Sequence, residues 1–528
     1  MNSLKRLSGR GSARWAGGLA IACTALTLTA AAPATAQEQY SALWGRDGES
    51  WSPQSRLPDF SYAGYHRGES PLPALKAAAD VKAFGAVGDG VADDTAAFQK
   101  AIDASKGKVI RVPRGRYKIT DFLTIRDSGT VLQGTGAEES VLFFPIPLNT
   151  VKPNWGATTT GERTSNYSWS GGFLQVLGSP SSRPLASVTA PAGRGDRALS
   201  VSSCEPFKVG DDVVLRLTDT PQKTLATYLY ADDPGPLDKL SGVRESFACR
   251  VTKVDAPARR IEFDRPLRTD VRLEWRPALF AAASSVEEVG IEELGFAFPN
   301  TPYLGHFKEV GYNAVALSGA RNCWLRNLRI HNCDSGIFVS GQNVTVQGIT
   351  FTSERPVEKS RQATGHHGIT LSGQDNLLRD FDYRTRFMHD ITMTRGSAGN
   401  VVASGRGLDL CFDHHKYAPH ANLFTDLDLG QGSRMFQSGG GADLGRHSAA
   451  YETFWNIRAS QPQVWPKGWG PDLMNLVGVQ SNGRPETNLS GKWFEAVDPG
   501  NLQPANLYTA QLARRLASLP TARRDERP

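Results

Sequence analysis

Asn322-Cys-Trp-Leu-Arg-Asn-Leu-Arg-Ile330, Asn343-Val-Thr-Val-Gln-Gly-Ile-Thr-Phe351, Asn376-Leu-Leu-Arg-Asp-Phe-Asp-Tyr383 and Asn422-Leu-Phe-Thr-Asp-Leu-Asp-Leu429 share one template, which Asn400-Val-Val-Ala-Ser-Gly-Arg-Gly-Leu408 fits more loosely. Their leading asparagines fall 21, 33, 24 and 22 positions apart, a period that denotes stacked supersecondary units. The segments read as coils of a solenoid, with the asparagines as a structural side-chain ladder at a turn. A second short strand follows: Gly336-Ile-Phe-Val339, Gly368-Ile-Thr-Leu371, Asp390-Ile-Thr-Met393 and Gly407-Leu-Asp-Leu410. Alternation along a strand sends Ile337, Ile369, Ile391 and Leu408 inward and Phe338, Thr370, Thr392 and Asp409 outward, with equivalent positions ~4.8 Å apart on successive coils.

The chain has 528 residues, but a solenoid grows in one dimension and can use that length as a single body. Its 53 glycines and 21% charged residues suit a turn-rich β protein. Lys5, Arg6, Arg10 and Arg14 precede an apolar run, Leu19 to Thr29, and a small-residue site ending at Ala36. This is the pattern of an export leader, too short to span a bilayer. Cleavage near Ala36 would deliver a secreted or periplasmic protein. The formal charge of +6 falls by those four cations to +2, so no basic bias points to nucleic acid. In an oxidising compartment Cys204 with Cys249 and Cys323 with Cys333 are the plausible pairs, leaving Cys411 single.

Past Ala36, an aromatic-rich segment to about residue 80 reads as a covering strap. Then comes Val81-Lys-Ala-Phe-Gly-Ala-Val-Gly-Asp-Gly-Val-Ala-Asp-Asp-Thr-Ala-Ala-Phe-Gln-Lys-Ala-Ile102. Its Asp93, Asp94 and Thr95 are helix-start residues, and Ala97, Phe98, Ala101 and Ile102 share one helical face. This string resembles the N-terminal signature of the pectate-lyase-like superfamily, which includes polysaccharide lyases, polygalacturonases and phage tailspikes. The resemblance implies an all-β fold, a right-handed single-stranded parallel β-helix capped by this helix. Alternating runs in the middle of the chain add a small antiparallel β insertion. The expected organisation is a leader at 1–36, the strap at 37–80, cap and first coils at 81–183, the insertion at 184–271, main coils with the site at 272–480, and a tail at 481–528. The tail holds an amphipathic run, Leu507 to Leu519, and a charged end expected to be disordered.

Seven of the ten histidines lie between His366 and His447. Placing the apolar anchors in register brings Ser335, His367, His389, Arg406 and Arg434 to one level, and convergent titratable groups mark sites. Lyases that act on uronic acids neutralise a carboxylate, remove the proton on the adjacent carbon and protonate the leaving oxygen. The expected catalytic set is His367, His389, Arg406, Asp409, His414 and Tyr417. Around it, His366, Arg384, Asp390, Asp413, His415, Lys416, Arg434 and His447 would bind substrate. Arg406, Arg434 and Lys416 suit the carboxylate. His367, His389 or His414 suits the base, and Tyr417 or a second histidine the acid. Asp409 and Asp413 would orient imidazoles or help bind a cation. The expected partner is an acidic polysaccharide, with no membrane span and no assigned oligomer. Two alternatives stand beside this: hydrolysis by paired carboxylates from Asp390, Asp409 and Asp413, and a binding-only β-helix. No spacing such as His-Glu-x-x-His announces a metal, so none is assigned, with calcium left open.

Overall fold

The computed structural model describes Gly11 and residues 38–158, 160–179, 183–282, 286–357, 362–482 and 486–519. The leader's basic and apolar stretches, its cleavage site and the charged end beyond residue 519 lie outside the described residues. The described residues from Glu38 onward belong to one compact unit built around a parallel β-helix.

Helix α1 (Thr95–Ala104) closes the stack, with Phe98, Ala101 and Ile102 buried in the main core. The acidic residues before it serve turns. The Asp93 carboxylate accepts from the Thr95 N–H, and that of Asp94 from the Val87 and Gly88 N–H groups. Seven strands then build the part of the helix that matters for function: β1 (Asn313–Arg321), β2 (Trp324–His331), β3 (Ser335–Gln342), β4 (Thr345–Thr352), β5 (Gly365–Leu371), β6 (Phe387–Met393) and β7 (Phe412–His414). Strands β1, β3, β5, β6 and β7 stack in parallel in one sheet, and β2 and β4 belong to a second, longer one. Along the first sheet Val315, Ile337, Ile369, Ile391 and Phe412 pair in one inward column. All five are buried in one core cluster that runs from Val81 to Phe494.

The register corrects two expectations. Trp324 pairs with Thr345, and Thr345 with Leu377, so Asn322 and Asn343 stand in the column of Asp375, one position before Asn376. Asn322, Asn343 and Asp375 adopt positive φ of 49°, 54° and 52°, a conformation that asparagine and aspartate tolerate well. Asn376, Asn400 and Asn422 form the true ladder. Asn376 Nδ2 donates to Asn400 Oδ1 and Asn400 Nδ2 to Asn422 Oδ1, each at 2.9 Å, and Glu452 terminates the row. In the second row, Ile391 is followed by Phe412 rather than Leu408. Leu408 is 56% exposed; the outward column is Phe338, Thr370, Thr392 and Asp413. The repeat slips because Arg406–Gly407 pairs with Asp382–Tyr383 in the other sheet.

The antiparallel insertion is a six-stranded sheet, from Pro184–Ser187 to its last strand in sequence, Ala278–Ala281, with its own core around Trp275, Phe247 and Leu215. Buried Arg265 and Arg268 pair with Asp375 of the coil stack. The strap buries Trp44, Leu57 and Phe60 against the coils and helix α2 (Leu507–Ala517). The expected disulfides are absent: Cys204, Cys249, Cys323, Cys333 and Cys411 are buried free thiols. Cys204 lies near the Asp255 carbonyl at one end of the strand Arg244–Asp255, whereas Cys249 sits mid-strand opposite Val213. Cys323 and Cys333 flank the eight-residue strand β2.

Candidate functional site

Pairing of β5 with β6 puts His367 beside His389, and pairing of β6 with β7 puts Thr392 beside Asp413. Their imidazoles gather on the outer surface: ring centroids are 4.1 Å apart for His366 and His367, 5.1 Å for His367 and His389, and 5.6 Å for His389 and His415. A further histidine, His306, lies 4.6 Å from His366 and 6.0 Å from His389, centroid to centroid. It comes from the irregular segment between Phe298 and Tyr312. The Asp334 carboxylate fixes the end of that segment by accepting from the Val310, Gly311 and Tyr312 N–H groups at 3.0–3.2 Å. Arg355 fixes its start through the Thr301 carbonyl. The same segment delivers Glu309, whose Oε1 lies 3.4 Å from His366 Nδ1 and accepts from the Tyr303 hydroxyl.

Asp413 is the hub. One carboxylate oxygen accepts from the Gly439 N–H at 2.7 Å. The other takes the Thr392 hydroxyl at 3.1 Å and His415 Nδ1 at 3.0 Å, with His389 Nδ1 3.4 Å away. Gly439 allows this closeness, because a Cβ there would come within 2.7 Å of His415 Cε1. Burial would raise the affinity of Asp413 for a proton, but His389 and His415 beside it hold it well below the ordinary carboxylate range. Burial pushes His389 down to about 3 against the pull of Asp413. In His415, by contrast, Asp413 outweighs burial and raises the proton affinity. The environment therefore favours an ionised Asp413 and a neutral His389, and makes His415 hold a proton more readily than a free imidazole does.

His367 is held well below the usual histidine range by burial and by His366, His389 and His415. Its Nδ1 lies 3.1 Å from Thr392 Oγ1. The Thr392 hydroxyl has one proton, and an ionised carboxylate can only accept. That proton goes to Asp413, so Thr392 accepts from His367 Nδ1–H, and the His367 lone pair sits on Nε2. The tautomer of the buried base is thus fixed by two hydrogen bonds.

Other expected site residues fall elsewhere. Arg406 and Arg384 are exposed and both pair with Asp382 in the other sheet. His414 alternates inward from Asp413; its ring packs at 4.5 Å from Trp469 and 5.5 Å from Phe424 inside the coil. Tyr417 packs on the core of the insertion. Asp390 accepts from the Cys411 and Phe387 N–H groups and pairs with Arg434. Asp409 accepts from Ser433 and Arg386. Lys416 is half-buried beside Gly440, and His447 contacts the His414 carbonyl. Arg386 and Arg434 line an open polar cleft of about 470 Å³ with Gln362, Met388, Gln431, Ser433 and Gln437.

Sequence reasoning missed His306, Glu309 and Tyr303, which belong to no repeat; their only signal was His306 and Glu309 close together ahead of the first regular coil.

Residues 78–144 match the family model described as rhamnogalacturonase A/epimerase, pectate lyase-like. The matched stretch is the cap and first coils, and the site lies beyond it. Mannuronan C5-epimerase AlgE5 of Azotobacter vinelandii is 37% identical over 101 residues, which are 17% of this chain and 10% of that protein. A pre-neck appendage protein of Bacillus phage B103 is 40% identical over 70 residues, 13% and 8% of the two chains. The chain thus spans a small fraction of the length of these curated relatives. A family 28 exopolygalacturonase structure from Yersinia enterocolitica aligns over 77% of this chain and 72% of that one, at 13% identity and a TM-score of 0.38. The Gp54 tailspike of Acinetobacter baumannii bacteriophage AP22, in complex with capsular saccharide, aligns over 73% and 58% at 9% identity and a TM-score of 0.37. The match over residues 78–144 and the parallel coils agree on a parallel β-helix fold. Among the described residues no helix is long and apolar enough to cross a membrane.

Proposed function

We propose that this chain is an exported enzyme that abstracts the proton next to the carboxylate of a uronic-acid unit in an acidic polysaccharide and cleaves the chain by β-elimination. The observation that carries this reading is the hydrogen-bonded chain His367–Thr392–Asp413–His415, in which burial disfavours a proton on His367 and Asp413 favours one on the partly exposed His415. The two imidazole rings are 6.2 Å apart, centroid to centroid.

In the proposed reaction His367 Nε2 takes the C5 proton. The electron pair of that bond forms the C4–C5 double bond, the C4–O4 bond breaks, and His415 gives its proton to O4. Exchange with water restores both rings. Lys416, half-buried near His415, supplies positive charge for the substrate carboxylate, and the polar cleft walled by Arg386 and Arg434 offers an adjoining sugar subsite. Each acid or base group in such a step typically contributes 10²–10⁴-fold.

Hydrolysis is less well supported. It requires one protonated carboxylic acid of raised pKa beside a second carboxylate. Glu309 is brought to about 2, where His366 and the Tyr303 hydroxyl outweigh burial, and Asp413 is also held low. Burial raises the proton affinity of Asp390, but that carboxyl is engaged by Arg434 and by the Phe387 and Cys411 N–H groups, and Asp409 is engaged by Arg386. C5 epimerisation is a second reading favoured by the relatives' name. It shares the proton abstraction but returns a proton to C5 and leaves the chain intact.

The test is ultraviolet absorbance of unsaturated ends alongside a reducing-end assay, over alginate, polygalacturonate and other uronate polymers. The expected result is both signals together on one polymer, lost in His367→Ala. Reducing ends without absorbance would overturn elimination in favour of hydrolysis.

A further inference from the structure

The site contains more imidazoles than proton transfer uses. His306, His366 and His389 each offer a ring nitrogen such that the three atoms lie within 4.8 Å of one another. His366 and His389 are 1% and 3% exposed; Nε2 of neither ring has a partner, and each Nδ1 has a carboxylate at ion-pair distance but no formed hydrogen bond. Buried polar atoms are rarely left so.

The carboxylates decide which nitrogens are at issue. Glu309 Oε1 is 3.4 Å from His366 Nδ1, and Asp413 Oδ2 is 3.4 Å from His389 Nδ1. A carboxylate beside one ring nitrogen favours the tautomer that leaves the other free to ligate, the usual outer support of a metal-bound histidine. This occurs twice, on neighbouring rings, and leaves Nε2 of both without a partner.

We infer that His306, His366 and His389 bind one late first-row divalent cation of the zinc class, with Glu309 and Asp413 as positioning residues behind His366 and His389. Three imidazoles suit zinc, cobalt or nickel and not calcium, which takes oxygen ligands. The second candidate set, His389, Asp413 and His415, is disfavoured because His415 Nδ1 and Asp413 are already bonded to each other. The inference shares residues with the proposed reaction but does not depend on it, since binding is read without substrate.

The experiment strips the full chain with chelator and titrates it with Co(II), following the visible ligand-field bands, with Zn(II) competition and metal analysis of the protein as purified. One equivalent is expected to bind with the intense spectrum of a low-coordinate nitrogen site. His306→Ala, in an irregular segment outside the coils, is expected to weaken binding by at least ~100-fold, and Glu309→Gln by ~10–100-fold, the range for outer supporting groups. His66→Ala, at the remote pair with Glu288, should leave binding unchanged. Absence of stoichiometric binding overturns the inference. So does wild-type affinity in His306→Ala, which with loss in His415→Ala would put the ion at the second set. A chain that binds Co(II) but makes no unsaturated product keeps this site and refutes the elimination reading instead.

Discussion

Replacing Thr392 with valine removes one hydroxyl from a buried position and keeps the side chain's shape. The structure gives that hydroxyl two hydrogen bonds, from His367 Nδ1 and to Asp413 Oδ2, both 3.1 Å. Each is worth about 1 kcal/mol net. If both act fully on the transition state, the loss of about 2 kcal/mol corresponds to a roughly 30-fold lower kcat. KM should hardly change, because Thr392 sits behind His367 and meets no substrate in this account. The assay is steady-state formation of unsaturated product on the most active uronate polymer, with denaturant unfolding to report the stability of each variant. Thr392→Ser keeps the hydroxyl and should recover most of the rate. Wild-type kcat in a folded Thr392→Val would refute the claim that the tautomer lock on His367 matters.

Other consequences follow from the same geometry. Arg406→Ala should leave turnover unchanged, since Arg406 is exposed and bound to Asp382 in the other sheet; a large loss of kcat would put the substrate on the wrong face. The pH profile of kcat should have its acid limb well below the ordinary histidine range, because the base His367 is held neutral. Its alkaline limb should lie above 6.5, because His415 must keep its proton and its affinity is raised; Asp413→Asn should move that limb to lower pH. Asn400→Ala removes four ladder hydrogen bonds, to Asn376 N and Nδ2, Gly373 O and Asn422 Oδ1. It should cost about 4 kcal/mol by denaturant titration at about 1 kcal/mol each. Arg434→Met leaves the buried Asp390 carboxylate without its cation and should cost about 3–5 kcal/mol by the same measurement.

The coils were legible because their signal is local and periodic. Ile337, Ile369 and Ile391 stack as their spacing implied, and the row Ser335, His367, His389 is confirmed by strand pairing. The period failed where side-chain identity hid a one-residue offset. Asparagine suits both a positive-φ corner, as at Asn322, and a ladder position, as at Asn376, so the motif looked continuous across two columns. The Leu408–Asp409 strand mimicked the outward row, but Arg406–Gly407 is drawn into the other sheet, and Asp413 takes the place assigned to Asp409. That slip also misplaced Arg406 and His414. Adjacent histidines in sequence did not share a fate: His415 faces the site, whereas His414 points into the aromatic core. His306 and Glu309 were illegible for a different reason. They ride on a segment with no period, held in place by Asp334 and Arg355, which are distant in sequence, and only folding brings them to His366.

The most direct measurement of the central claim is turnover in heavy water, with mass analysis of the uronate units around the cleaved or inverted position. If His367 and His415 form a proton-transfer pair, the active polymer must lose its C5 hydrogen, giving an unsaturated end or deuterium at C5, and folded His367→Ala must do neither. Chain cleavage that retains every C5 hydrogen, or unchanged C5 chemistry in His367→Ala, would contradict the account.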